Sequence, residues 1–395
     1  MAWTGAGFED DVVVEVEEGL IRAVASGMAP ADDMRRLGGV VFPGFANTHS
    51  HVFHRLLRGH TSSGPGDFWS WRDAMYDVAV ELDPDSYRAV AAATFREMVA
   101  AGFTSVDEFH YLHHQAGGRP YDDPNVMGDA LVDAAAEAGI RLTVLDTCYL
   151  SAGFGEPPAG AQLRFADASV EAWAERVEAW HPPGHVTKGA AIHSVRAVDP
   201  ASCALVAEWA GTRPLHVHLS EQKVENERTH ETYAATPTQI LAEAGALGPD
   251  TTVVHATWVT PDDISLLARA GVTASICPTT ERWLADGIGP SAELEAAGVT
   301  LGVGSDSQSV IDPFEEMRLL ELHPRLVSGH TGHHDVASLI RAGTGRRVLA
   351  EGRPADLVEI GTTTPRTAGV PVDGLVFAAT AADVTGVVAR GRLLP

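Results

Sequence analysis

Short apolar runs and longer amphipathic stretches take turns along most of this chain. Strand-like runs fall at 40–43, 104–108, 141–145, 189–193, 214–218, 252–255, 273–277 and 300–304. They are rich in β-branched or small apolar side chains and too short for helices. Between them lie alanine-rich stretches that read as helices, at 86–101, 125–138, 201–210, 237–244 and 261–270. Thr260 before Pro261 gives the last of these an N-cap and a proline at the first helical position. Alternating strands and helices imply a parallel sheet. Eight such strands favour closure into an α/β barrel of the (β/α)8 TIM type over an open sheet.

The two ends follow another pattern. Runs at 12–16 and 20–24 flank Glu17, Glu18 and Gly19, which reads as a hairpin. Further short runs lie at 356–360, 375–378 and 387–390. We therefore expect residues 1–42 and 350–395 to combine into one small β-sandwich domain, beside a barrel over 43–349.

Composition narrows the class of partner. Lys and Arg number 28 against 53 Asp and Glu, a net charge of −25. Such a surface repels nucleic-acid phosphates and anionic lipid, so neither nucleic acid nor membrane is an expected partner. No apolar run approaches the ~18 residues that span a bilayer, and the start, MAWTGAGFEDD, lacks the basic segment of a secretory signal. Cys148, Cys203 and Cys277 form no CxxC pair, and an odd count closes no disulfide framework. A reducing, cytoplasmic setting is the expectation. An anionic substrate would need arginines held at the site itself.

In a (β/α)8 barrel, reactive groups sit at the C-terminal strand ends. The polar residues here obey that rule. His49 and His51 follow the first expected strand, Glu108 and Tyr111 close the second, and His193 the fourth. His218 and Glu221 close the fifth, His255 the sixth, and Asp306 follows the eighth. His49 and His51, two apart, point to one side of an extended segment and can share a divalent ion. Glu221 suits proton transfer to or from a leaving group. Asp306 ends a strand of small residues and can ligate a metal. Each segment alone has a plainer reading. With 18 histidines an HxH pair arises by chance; His218 and His255 can be satisfied core histidines; Asp306 can be a helix N-cap. Their order, each at a successive strand end, favours a metal enzyme. No phosphate loop, GxGxxG fingerprint or GxSxG elbow points to a nucleotide enzyme or serine hydrolase.

That ordered set resembles the amidohydrolase superfamily, in its mononuclear deaminase branch. Lys188, at the start of its strand, does not suit the carbamylated bridge of binuclear members. The segments FWSWR (68–72), EFHYLHH (108–114), HSVRAV (193–198), CPTTE (277–281), DGIGP (286–290) and GSDS (304–307) are similar to the N-formimidoyl-L-glutamate deiminase family, over about residues 43–325. The resemblance implies one Zn2+, or Fe2+ or Mn2+ in its place, on His49, His51, His218 and Asp306. It implies that Glu221, His255 and Asp306 handle protons. It further implies a small-molecule dicarboxylate held by Arg72, Tyr111 and Arg196, with His193 and His54 beside them. The implied reaction replaces a formimino nitrogen by oxygen and releases ammonia, a step of histidine degradation, in an enzyme expected to be a homodimer. The guanidinium fork matches a carboxylate in shape as well as charge.

The chain departs from that pattern in places. His54 stands where many relatives carry glutamine, Gln308 where histidine is frequent, and Trp258 where the side chain is usually smaller or polar; the segment after 325 is shorter and diverged. Three rivals stand beside this reading: a deaminase of heterocycles or aryl amines, an amide hydrolase releasing formate, and a non-catalytic metal-binding barrel. Arg72 and Arg196 speak against the first, product analysis separates the second, and Glu221 with His255 speaks against the third.

Overall fold

The computed structural model describes residues 1–28, 31, 34–61 and 68–394. Eight strands form one parallel sheet: β1 (Phe45–Ser50), β2 (Phe103–His110), β3 (Arg141–Cys148), β4 (Thr187–Ile192), β5 (Leu215–Leu219), β6 (Thr251–His255), β7 (Thr273–Ile276) and β8 (Thr300–Val303). Each pairs with the next in chain order. The sheet closes where Ser50 bridges Asp306 in parallel. There the His51 amide donates to the Asp306 carbonyl (3.1 Å) and the Asp306 amide to that of His49 (3.0 Å). Helices lie between the strands, as expected for βαβ units. The helix Pro84–Ala100 starts on a capping box between Asp83 and Ser86. Pro261–Ala270 starts on Thr260, as its sequence predicts. Among the described residues no helix is long and apolar enough to cross a membrane.

The terminal segments form a second, six-stranded sheet. Its order is Arg392–Leu393, Val384–Ala389, Leu357–Ile360, Val40–Pro43, Ala2–Trp3, Phe8–Glu9. The hairpin Val13–Glu17 and Leu20–Ala25 faces it. Ile21, Val41, Ala355 and Leu357 are buried in a small core between the two layers.

Two expectations need correction. The run at 40–43 is not the first barrel strand: it pairs antiparallel with Leu357–Ile360 in the terminal sheet. The chain passes from one sheet to the other at Gly44, where a Cβ would lie 2.2 Å from the Thr104 hydroxyl oxygen. Thus His49 lies within β1 and His51 directly after it. The run at 375–378 is a helical turn, Leu375–Ala378, rather than a strand. Arg318 donates to the carbonyls of Phe377 (3.0 Å) and Ala379, which satisfies the end of that turn. Four apolar residues with Leu375 and Val376 buried carry no periodicity that tells helix from strand.

The seam also accounts for the small residues in and just after β8. A Cβ on Gly302 would meet the Thr48 hydroxyl oxygen at 2.8 Å, and one on Gly304 would meet the His49 carbonyl oxygen at 2.7 Å. The latter obstacle is backbone and has no rotamer to escape into. Gly304→Ala is expected to destabilise the fold by about 1–3 kcal/mol, read as a lower urea midpoint. Gly184→Ala, with no described atom within 4 Å of the added carbon, should leave the midpoint in place. Equal midpoints for the two variants would mean that the seam yields easily.

Candidate active site

Closure of the barrel brings β1 and β8 together, and β5 supplies the third wall. The Nε2 atoms of His49 and His51 each lie 3.6 Å from Asp306 Oδ1. His218 Nε2 lies 3.3 Å from His49 Nε2. All four side chains are buried. Tautomers follow from their outer hydrogen bonds. His51 Nδ1 meets the Phe109 carbonyl and His218 Nδ1 the His193 carbonyl, both at 2.9 Å. A carbonyl only accepts, so each Nδ1 carries the hydrogen and each Nε2 presents a lone pair. Burial, reinforced by neighbouring histidines, holds both imidazoles well below their ordinary pKa and hence neutral. Asp306 stays ionised: burial pushes its carboxyl up, but His49, His255 and His51 outweigh it.

Lone pairs of neutral imidazoles thus converge on a buried carboxylate. His49 Nδ1 has no hydrogen-bond partner among the described residues. A cluster of acceptors is costly to bury unless a cation fills it. The donor set, imidazole nitrogens and one carboxylate oxygen without thiolate, fits a divalent metal. The candidate ligand atoms of His49, His51 and Asp306 lie within 4.8 Å of one another, as do those of His49, His218 and His255. Lys188 points elsewhere and donates to the carbonyls of Val177 (2.9 Å) and Trp180 (2.7 Å).

Next to this cluster stand the proton-handling candidates. His255 Nε2 is 3.7 Å from Asp306 Oδ2 and 3.8 Å from Glu221 Oε1. Burial pushes the Glu221 carboxyl up to about 7, against the pull of His255 and Arg196. For His255 burial acts downward, but Glu221, Glu281 and Asp306 raise it to about 10. These side chains are aimed by strained backbone: Ser220, His255, Ala256, Asp306 and Gln308 have φ between 41° and 70°. Such left-handed non-glycine residues cost on the order of 1 kcal/mol or more each and collect at functional sites.

A cleft of about 640 Å³, its open mouth included, lies over the cluster. All five residues expected to bind substrate line it: His54, Arg72, Tyr111, His193 and Arg196. His54 Nε2 and the Tyr111 hydroxyl are 2.7 Å apart. The Arg72 guanidinium lies over the rings of Trp69 (4.7 Å) and Tyr76 (5.3 Å). Arg196 Nε lies 3.8 Å from the buried Glu225. The other two departures noted in the sequence sit elsewhere. Gln308 is buried in the seam, donating to Ser50 Oγ and to the Asp306 carbonyl (both 2.9 Å). Trp258 lines a separate groove with Ile288 and Pro290.

Sequence reasoning gave no role to three acids that support the site. Glu281 Oε1 meets His255 Nδ1 at 3.3 Å and accepts from the Cys277 amide at 2.9 Å. Glu108 accepts from Ser50 Oγ (2.5 Å) and from the Val52 amide (2.7 Å), and so ties β2 to the end of β1. Glu225 accepts from the Glu221 amide (3.2 Å). The motifs containing Glu108 and Glu281 are visible in the sequence, but what these acids contact is not.

A model of the amidohydrolase family matches residues 40–394. Formimidoylglutamate deiminase of Pseudomonas aeruginosa is 35% identical, over 98% of this chain and 91% of its own. The crystal structure of an amidohydrolase from Brucella melitensis superposes with a TM-score of 0.91 at 31% identity, covering 99% of this chain and 92% of that one. An adenosine deaminase from Xanthomonas campestris, with bound zinc, gives 0.83 at 24% identity, covering 99% and 90%.

If the four side chains are the ligands, purified protein dialysed against metal-free buffer should retain about one equivalent of divalent metal. His49→Ala and Asp306→Ala should each lose it, by elemental analysis, while keeping the circular dichroism of the parent. Full retention in both variants would remove these residues from the ligand set.

Proposed function

Since the chain belongs to the amidohydrolase family, whose relatives act on C–N bonds as hydrolases and deaminases, we propose that it hydrolyses N-formimidoyl-L-glutamate to N-formyl-L-glutamate and ammonia, with zinc as its metal. The observation that carries this reading is the pair Arg72 and Arg196 in the cleft beside the His/Asp cluster. A dicarboxylate offers each guanidinium a partner. A nucleoside or aryl amine offers neither one, and a protein of charge −25 would repel a dianion without them. The zinc of the Xanthomonas campestris deaminase supports the choice of metal, as does the donor set, which also accepts Fe2+ or Mn2+.

The chemistry such an ion supplies when held by His49, His51, His218 and Asp306 is Lewis acidity, which lowers the pKa of water to about 7. The protein does the rest. Arg72 and Arg196 pair with the two carboxylates, while Tyr111, His54 and His193 frame the space between them. Asp306 Oδ2 and His255 Nε2, 3.7 Å apart, orient the attacking water, and the Asp306 carboxylate takes the proton it gives up. Water oxygen adds to the formimino carbon, giving a tetrahedral carbon. Glu221, whose carboxyl burial pushes up to about 7, is matched to move a proton near neutral pH. It delivers that proton from Oε1 to the terminal nitrogen, the proton taken from water follows it from Asp306, and the C–N bond breaks; ammonia leaves as the hydroxyl returns its proton to Glu221 and the formyl carbonyl forms.

Zinc-loaded protein should release ammonia from N-formimidoyl-L-glutamate and leave N-formyl-L-glutamate, with both lost on chelation. Formate in place of ammonia would identify an amide hydrolase instead, and no product from a fully metallated sample would refute the substrate. Glu221→Gln should keep its metal while kcat falls by roughly 10²–10⁴-fold; normal turnover in that variant would take the proton shuttle away from Glu221.

A further inference from the structure

The helix Lys223–Tyr233 begins two residues after Glu221 and is polar along most of its length. Its glutamates at 227 and 231 are exposed, yet Glu225 is 1% exposed. One of its oxygens, Oε2, accepts from the Glu221 amide at 3.2 Å. The other, Oε1, faces Arg196 Nε at 3.8 Å. That distance is too long for a hydrogen bond, and neither atom has another partner among the described residues. Buried Glu225 and half-buried Arg196 thus form a long ion pair about 1 Å short of hydrogen-bond contact, an arrangement that leaves the two facing atoms, Oε1 and Nε, desolvated and without a hydrogen bond. Arginine has five donors in a fork. Once Nε engages Glu225, both Nη groups remain for a carboxylate in the cleft.

We propose that Glu225 is a positioning residue that couples Arg196 to Glu221, so that seating a substrate carboxylate on Arg196 closes the gap and sets the backbone of the proton carrier. This rests on the dicarboxylate reading of the cleft. One buried carboxylate then serves both ends of the reaction: it aims the guanidinium and holds the loop that carries Glu221. Selectivity follows, because a substrate without a carboxylate at Arg196 leaves the link open and is turned over more slowly as well as bound more weakly.

A double-mutant cycle on kcat/KM for N-formimidoyl-L-glutamate tests the link, using zinc-loaded parent, Glu225→Gln, Arg196→Met and the double variant, each checked for metal content and melting temperature. Glutamine keeps an acceptor for the Glu221 amide but turns an N–H2 toward the guanidinium. Each single variant should lose roughly tenfold or more, and the double variant should be no worse than Arg196→Met within about threefold. A purely structural Glu225 would give multiplied losses, and an unaffected Glu225→Gln would equally overturn the coupling. Should Glu225→Gln not fold, Glu225→Asp takes its place under the same two outcomes. If the parent releases no ammonia, the proposed reaction fails, but the coupling is still decided by calorimetric binding of N-formyl-L-glutamate to the same four proteins. Losses that do not multiply support it; multiplied losses, or no binding to the parent, overturn it.

Discussion

The site depends on how the barrel closes. The hydrogen bonds that join β1 to β8 are made by the backbones of His49, His51 and Asp306, the residues whose side chains form the His/Asp cluster. Closing the sheet and assembling the cluster are therefore one event. Polar side chains stitch the same seam from within. Asn47 Oδ1 accepts from the Ser305 amide (3.0 Å), its Nδ2 donates to Ser305 Oγ (2.6 Å), and Thr48 donates to the Val303 carbonyl (3.0 Å). Buried polar groups are tolerated there because they satisfy one another. Their bonds are directional, so they also set the register in which the two strands meet.

Electrostatics at the site runs against the protein as a whole. The chain carries −25, but its cleft holds two guanidinium groups, restrained by different means. Arg72 lies against the faces of Trp69 and Tyr76, with only the exposed carboxylate of Asp73 near it among the described residues, at 3.7 Å. Arg196 faces a buried carboxylate. Under the proposed reading, long-range attraction cannot gather a dianion here, and short-range pairing inside the cleft takes its place. Burial also separates the roles of the acids. Asp306 is held ionised by surrounding histidines, whereas Glu221 is pushed into the neutral range where a carboxyl can carry a proton. Two similar side chains thus acquire different chemistry from their surroundings.

The supporting acids are as deeply placed as the groups they serve. Glu281 behind His255, Glu108 behind the β1 end and Glu225 behind Arg196 are each nearly fully buried. Each bonds at least one backbone amide. Such a partner fixes the carboxylate, and the fixed carboxylate in turn limits where a ring, a loop or a guanidinium can lie.

Much of this was legible in the amino-acid order, because it is local. Period and length marked seven of the eight barrel strands and the terminal hairpin, and a threonine before a proline marked a helix start. Reactive residues stood out because strand ends in a barrel converge, so His49, His51, His218, His255 and Asp306 could be grouped without knowing any distance. Where two folds satisfied the same local pattern, the sequence was silent. Val40–Pro43 makes as good a barrel strand as Phe45–Ser50, and only its pairing with Leu357–Ile360, more than 300 residues away, decides between them. Residues 375–378 turn as a helix whose end is satisfied by Arg318, nearly 60 residues away, at the carbonyls of Phe377 and Ala379. Glu225, Glu281 and Gln308 meet Arg196, His255 and Ser50 only once separate βα units are packed together. Side-chain spacing and chemistry are properties of the chain and can be read along it; burial, charge pairing and backbone strain are properties of neighbours, and neighbours exist only in the folded protein.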